Sequence, residues 1–160
     1  MVTKLSTPNA IARSPLRFLL LIVFSGALIC AACSSTPLLM TKQVKFRCDS
    51  KFNDGLLLPV DIVFVPEGEK IDTIAGVAPD EWFDSEVRSD WPYIQSFSFR
   101  ESDVRNTIEV KLKKAKQTIA MIVIADYRGL DGAKSQMIVF KGEDSKEHED
   151  IFITINGLLH

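Results

Sequence analysis

Cys33 is the residue of this chain whose neighbours most clearly favour a chemical reaction. It follows Ala31 and Ala32 and precedes Ser34, and an apolar run over 18–24 lies upstream. The residues before it include three basic side chains and no acidic one. A positively charged N-terminal region, followed by an apolar segment and then by small residues, is typical of a secretory signal peptide. A cysteine directly after the small pair resembles a bacterial lipobox, in which the thiol receives a diacylglycerol. The sequence therefore predicts lipid attachment at Cys33.

The same pattern sets the expected domain boundaries. Residues 1–32 are predicted to be a lipoprotein signal peptide, 33–41 the lipidated N-terminus and a tether, and 42–160 the folded domain. The apolar segment of about 15 residues is too short for a membrane span, which needs about 20. An ordinary cleaved signal or an uncleaved anchor is the alternative, because Cys30 stands where a lipobox usually has Leu.

The mature chain is expected to be acidic. The leader holds three of the 19 basic residues and none of the 21 acidic ones, so cleavage before Cys33 leaves a net charge of about −5. Nucleic acid binds basic surfaces, so we expect no nucleic-acid partner. Cys48 would be the one unmodified cysteine, which excludes an intramolecular disulfide and favours a buried, apolar thiol.

Side chains suited to catalysis are scarce. Of the two histidines, His160 is the last residue and His148 lies in the acidic run 142–150. That run lacks the spacing of a calcium loop, and a solvated loop is favoured over a site for a hard cation. The sequence contains no G-x-S-x-G, H-E-x-x-H or C-x-x-C motif and no glycine-rich phosphate loop. We therefore predict no enzyme, no catalytic residue, no metal site and no cofactor beyond a covalent lipid on Cys33.

Apolar and polar residues alternate along most of the remaining chain, which is typical of half-buried strands. Val44, Phe46 and Cys48 share one face in this way, and Thr118–Ala125 is apolar throughout, which predicts a central strand. Further candidate strands fall at 58–65, 96–100, 108–112, 137–139 and 151–155. About seven strands predict an antiparallel β-sandwich.

One segment departs from this pattern. Pro79–Arg88 opens with Pro, Asp and Glu and spaces apolar residues four apart, which predicts one short helix between strands. Trp82, Trp91 and Tyr93 lie nearby and are predicted to cover one open end of the sandwich. Core packing is the main interpretation of these rings, and ligand stacking is the alternative.

Three segments carry a resemblance to a known family. FNDGLLLPVDIVFV, 52–65, contains an Asn…Gly…Pro-Val stretch before a candidate second strand. IAMIVIADYRGLDGAKSQ, 119–136, joins an apolar strand to an aromatic-Arg pair and an Asp-Gly-Ala turn, and ITINGLLH, 153–160, reads as a closing strand. Together these segments are similar to the type VI secretion lipoprotein family, TssJ (also called SciN), and the chain resembles a divergent member of it.

The resemblance implies a transthyretin-like antiparallel β-sandwich of about seven to eight strands with one short inserted helix. It also implies a lipid anchor in the outer membrane, with the domain facing the periplasm and binding the periplasmic part of the inner-membrane protein TssM. Ser34 agrees with this location, because an Asp directly after the lipidated cysteine would retain the protein at the inner membrane.

The family's loop between its first two strands corresponds to residues 50–57 and is implied to contact TssM. Its candidate binding residues are Lys51, Phe52, Asn53, Asp54, Leu56 and Leu57. Apolar residues in a turn that should be exposed to solvent also support an interface, independently of the resemblance. The alternative is that Phe52 folds onto the core and that Leu56 or Leu57 belongs to the second strand.

Two other functions stay open at this point. One is a pilotin-like or other envelope-assembly lipoprotein, which would also be an outer-membrane adaptor. The second is a lipoprotein that binds a glycan or a peptide over the aromatic rings of Trp82, Trp91 and Tyr93.

Overall fold

The computed structural model describes residues 36–48, 52–103, 106–127, 136–154 and 156–160. Its strands are β1 (Gln43–Cys48), β2 (Leu58–Pro66), β3 (Ile94–Phe99), β4 (Thr107–Lys111), β5 (Thr118–Ala125), β6 (Met137–Lys141), β7 (His148–Thr154) and β8 (Gly157–Leu159). Its α-helices are α1 (Ile71–Ala75), α2 (Pro79–Trp82) and α3 (Glu86–Asp90), and its 3₁₀ turns are Asn53–Gly55 and Glu101–Asp103. No helix within these ranges has the length and apolarity needed to cross a membrane.

The strands form a two-layered β-sandwich, which confirms the predicted fold class. One sheet has the order β4-β1-β7-β8 and the other the order β3-β2-β5-β6. All the strand neighbours in the described ranges are antiparallel except β1 and β7, which run parallel. The antiparallel prediction is corrected at this one pair. The physical reason is the path of the chain, because it builds β4 and the whole second sheet between β1 and β7, and a parallel pair needs such a long connection.

The main core lies between the two sheets and follows the alternation in the sequence. Val44, Phe46 and Cys48 face it from β1, as predicted. β2 and β5 are buried on both faces, because their other residues pack into a second apolar cluster on the outer side of their sheet. The apolar run Thr118–Ala125 is accordingly a central strand. Burying one large apolar side chain contributes about 1.5–3 kcal/mol, so burial on both faces makes these strands the most strongly held.

The three helices cover the outer face of the second sheet. The predicted helix over 79–88 is present, but it is divided into α2 and α3, and α1 precedes it. The division occurs at Ser85, whose Oγ accepts a hydrogen bond from the Arg88 N–H at 3.1 Å and caps the start of α3. Trp82 is fully buried in this outer cluster and does not cover an end of the sandwich. Its predicted location is therefore corrected, while the core-packing interpretation holds for this ring.

Cys48 ends β1 with its thiol in the main core, as expected. Burial, with a smaller contribution from the Asp103 carboxylate, raises the pKa of this thiol to about 11. The thiol is therefore protonated at neutral pH and shielded from water, and both conditions make it unreactive.

Asp61 connects the helices to the sheet. It lies on β2 and is only 1% exposed. Its Oδ2 accepts hydrogen bonds from Trp82 Nε1 at 2.9 Å and from Arg88 Nε at 2.7 Å. The Arg88 guanidinium also lies over the Phe83 ring, 5.4 Å from its centroid. A buried carboxylate needs such partners, because an unpaired charge is costly in apolar surroundings. Asp61 thus fixes α2 and α3 to β2.

Replacing Asp61 with Ala should lower the free energy of unfolding by about 3 kcal/mol, because the buried Trp82 N–H loses its acceptor and Arg88 loses its counter-charge. Urea unfolding followed by tryptophan fluorescence measures the change. Asp61→Asn, which keeps an acceptor for Trp82, should lose less stability. The control is Asp90→Ala at an exposed acid of α3, which should change stability by no more than about 0.5 kcal/mol. A loss for Asp61→Ala as small as that of the control would contradict this role.

Candidate partner-binding site

β2 runs through the sandwich and defines its two ends. Leu58 pairs with Phe99 at one end of the strand, and Pro66 pairs with Thr118 at the other. We call the end of the sandwich at Leu58 the far end and the end at Pro66 the near end. The path along β2 between them is roughly 26 Å at the usual rise of a strand. The strand directions place the β1–β2 and β3–β4 loops at the far end.

Residues 36–41 lie against the near end of the sandwich. The Leu39 N–H donates to the Thr118 carbonyl at 2.7 Å, and the Met40 N–H donates to Ser145 Oγ at 2.9 Å. The Leu39 side chain is 3% exposed and belongs to the main core. The folded domain therefore includes Leu39 and Met40.

The tether predicted over 33–41 is accordingly shorter than the sequence indicated. Because Leu39 is fixed to the body and Pro37 also packs against it, the spacer back to Cys33 spans at most six residue steps. These six residue steps reach at most roughly 20–22 Å when fully extended. Cys33 itself lies outside the described residues, and its lipid attachment stays a prediction.

The β1–β2 loop turns sharply at the far end. Asn53, Asp54 and Gly55 all have positive φ, at 50°, 50° and 76°. Asn and Asp tolerate this left-handed conformation better than most residues, and Gly has no Cβ to oppose it. The Asn53 side chain donates from Nδ2 to the Leu57 carbonyl at 2.8 Å and closes the turn. The Asn-Asp-Gly sequence is what lets the chain reverse here in so few residues.

Two of the predicted binding residues are buried. Phe52 is fully buried in the main core, and Asn53 is only 5% exposed. Neither side chain is available to a partner in this conformation, and a partner contact at Phe52 or Asn53 stays a prediction. The alternative that placed Phe52 on the core is the one observed. The reason is the tight turn that follows, which directs the ring inward.

The other described residues of the loop remain exposed. Leu56 and Leu57 are 45% and 46% exposed, and both precede β2 instead of belonging to it. Asp54 is also exposed. The remaining candidate, Lys51, lies outside the described residues. Adjacent leucines in contact with water form the kind of apolar surface that marks an interface.

A second loop adds negative charge beside these leucines. A Cβ placed on Gly55 would lie 3.5 Å from Glu101 Oε2, so the turn Glu101–Asp103 adjoins the β1–β2 loop. Glu101 and Asp54 are both exposed. The far end thus presents an apolar pair next to the carboxylates of Asp54 and Glu101, with the exposed Arg100 directly before Glu101, an arrangement that fits a protein surface with apolar and charged side chains. Sequence reasoning missed Glu101, because the β3–β4 loop that carries it is remote in the chain and has no motif.

The aromatic rings do not form an open binding platform. Trp82 is fully buried, and Trp91 is half-buried with its Nε1 donating to the Phe64 carbonyl at 3.0 Å. Tyr93 is 41% exposed. A sugar or peptide cannot stack on the Trp82 ring in this conformation.

The acidic run 142–150 is engaged in local contacts. Glu149 is 2% exposed, and its Oε1 accepts a hydrogen bond from the Lys146 N–H at 2.7 Å. Its Oε2 lies 3.4 Å from Nε2 of His160. Within the part of the chain that the structure describes, no three His, Cys, Asp or Glu side chains are grouped as a metal ion would require.

Known proteins resemble this chain in structure, while no protein-family model and no curated protein matches its sequence. Lip of Serratia marcescens, described as a membrane-bound component of the type VI secretion system, has a TM-score of 0.51 and 14% identity over 75% of this chain and 97% of its own. The type VI lipoprotein TssJ1 of Pseudomonas aeruginosa has a TM-score of 0.54 and 19% identity over 74% of this chain and 93% of its own.

A third solved structure is described as the C-terminal domain of the type VI protein TssM from EAEC. Its matching chain has a TM-score of 0.58 and 13% identity over 74% of this chain and 94% of its own. At these identities the likeness establishes the fold. The resemblance to the TssJ lipoproteins that the sequence predicted is confirmed in that respect.

Proposed function

We propose that this chain is a lipoprotein of the outer membrane that faces the periplasm and serves as a structural adaptor in a type VI secretion membrane complex. It acts by binding the periplasmic domain of a TssM-like inner-membrane protein, and it performs no catalysis. The fold shared with Lip and TssJ1 supports the class of component, and the likeness to a chain of the TssM structure supports the partner. The observation that carries the proposal is the exposed pair Leu56 and Leu57 at the far end.

In this proposal the anchor and the contact lie at opposite ends of the sandwich. An acylated Cys33 would hold the near end close to the membrane, because Leu39 is fixed there only a few residues later. β2 then carries the chain roughly 26 Å away, to the far end. When β2 points away from the membrane in this way, Leu56 and Leu57 face the space that a periplasm-spanning partner occupies.

The mechanism is mechanical. Each methylene buried in a membrane contributes about 0.8 kcal/mol, so two or three acyl chains hold the protein on the bilayer for long times. β2 is hydrogen-bonded to β3 on one side and to β5 on the other, and both pairings extend over most of its length. A load applied at the far end is therefore shared across the second sheet before it reaches the anchor.

Replacing Leu56 and Leu57 together with Asp should weaken binding to the TssM periplasmic domain at least tenfold, because two apolar contacts are lost and two charges must be desolvated. Truncations at the centre of an interface commonly cost 2 kcal/mol or more, and 1.4 kcal/mol is tenfold. Biolayer interferometry with the detergent-solubilised protein and the purified TssM domain measures the affinity.

The matched control carries Val139→Asp and Leu159→Asp, at exposed apolar residues of the edge strands β6 and β8. It should bind TssM like the parent protein. Unchanged binding of the loop variant, or an equal loss in the control, would remove the far end as the contact. Capture of a secretin in place of TssM from solubilised envelopes would favour the pilotin-like function.

Replacing Cys33 with Ser should abolish acylation and release the protein from the outer-membrane fraction. Metabolic labelling with a clickable fatty acid and density fractionation measure the two effects, and globomycin should leave an unprocessed precursor of the parent chain. Cys30→Ser is the control and should keep the label, because Cys30 belongs to the predicted leader. A mature parent band without label, or loss of the label in the control alone, would exclude Cys33 as the anchor.

A further inference from the structure

A second pair of apolar side chains is exposed at the near end. Leu38 is 49% exposed and Met40 is 61% exposed, whereas Leu39 between them is 3% exposed. Successive side chains of an extended segment point to opposite sides. The burial of Leu39 therefore turns Leu38 and Met40 outward together, and no described part of the domain covers them.

This segment is held firmly in place. The Met40 N–H donates to Ser145 Oγ at 2.9 Å, and that hydroxyl in turn donates to the Gly142 carbonyl at 3.0 Å. A Cβ on Gly142 would lie 2.1 Å from the Pro37 carbonyl oxygen, so the segment packs against backbone where only glycine fits. The outward direction of Leu38 and Met40 is thus a fixed property of the near end.

Two lysines flank Met40. Lys42, Lys114, Met40 and Glu147 line a cleft of about 370 Å³. Lys42 Nζ pairs with Glu147 Oε1 at 2.9 Å, and Lys114 Nζ donates to the Leu39 carbonyl. Burial and the nearby charge of Lys42 lower the pKa of Lys114. Two lysines and one glutamate give this cleft a net positive charge. The apolar stem of a lysine side chain lies well along an apolar surface, while its charged end reaches polar groups.

We propose that the near end docks on the phospholipid bilayer, with Leu38 and Met40 entering the interfacial layer and Lys42 and Lys114 at the level of the headgroup phosphates. The inference rests on the proposed lipid attachment at Cys33, because a spacer that reaches at most roughly 20–22 Å keeps this end beside the membrane. Docking fixes the orientation of the domain, which the covalent anchor alone would leave free. It therefore supports the proposed adaptor function, because it holds the far end away from the membrane.

Quenching by brominated lipid tests this docking. Leu38→Cys and Met40→Cys variants of the full chain are acylated in cells, labelled with the dye NBD, and inserted into vesicles of phosphatidylethanolamine and phosphatidylglycerol. Leu56→Cys and Leu57→Cys are matched controls, because these residues are 45% and 46% exposed at the opposite end. The buried Cys48 should take up no dye, which the parent chain verifies.

We expect brominated lipid to quench the dye at positions 38 and 40 several-fold more than at 56 and 57, with blue-shifted emission at the first two. Mass spectrometry of each sample verifies acylation, which separates the docking proposal from the proposal of a lipid anchor at Cys33. Equal, water-like emission at all four positions in acylated protein would overturn the docking and leave the lipid anchor standing. A blue shift at 38 and 40 without quenching would assign this surface to a protein and would equally overturn the docking. Absence of the acyl mass would overturn both proposals.

Discussion

The burial of β2 on both faces is the constraint on which the rest of the structure depends. Val60, Ile62 and Phe64 pack between the sheets, and Val63 and Val65 pack beneath the helices. The strand is also hydrogen-bonded along both edges, to β3 and β5. A strand enclosed on four sides cannot tilt without opening a core, so it fixes the direction from the near end to the far end. The separation of the proposed membrane anchor from the proposed partner contact follows from that direction.

The broad faces of the sandwich are less suited to a protein contact than its ends. The outer face of the second sheet is covered by the helices that Asp61 holds through Trp82 and Arg88. The outer face of the first sheet carries ion pairs such as Lys45 with Glu109, whose N–O distance is 3.0 Å. Exposed pairs of this kind contribute little stability and keep a surface hydrated. Each of the two ends presents two exposed apolar residues close together in the chain, and these pairs are the contacts that we propose for membrane and partner.

The sequence predicted the features that depend on local periodicity and missed those that depend on distant contacts. Strand positions and the central place of Thr118–Ala125 follow from side-chain alternation, so the fold class was predictable. The parallel pairing of β1 with β7 depends on the route of the whole chain between them. The burial of Phe52 depends on three left-handed residues in succession, and the position of Leu39 depends on a hydrogen bond to Thr118, far along the chain.

Hydrogen exchange locates the TssM contact and so shows whether it lies at the far end, opposite residues 36–42. Exchange would be measured by mass spectrometry on the acylated protein alone and with the TssM periplasmic domain. Slowed exchange is expected in 52–57 and 101–103 on addition of TssM, with no change in 36–42. Slowed exchange in 36–42 with 52–57 unchanged would contradict a TssM contact at the far end.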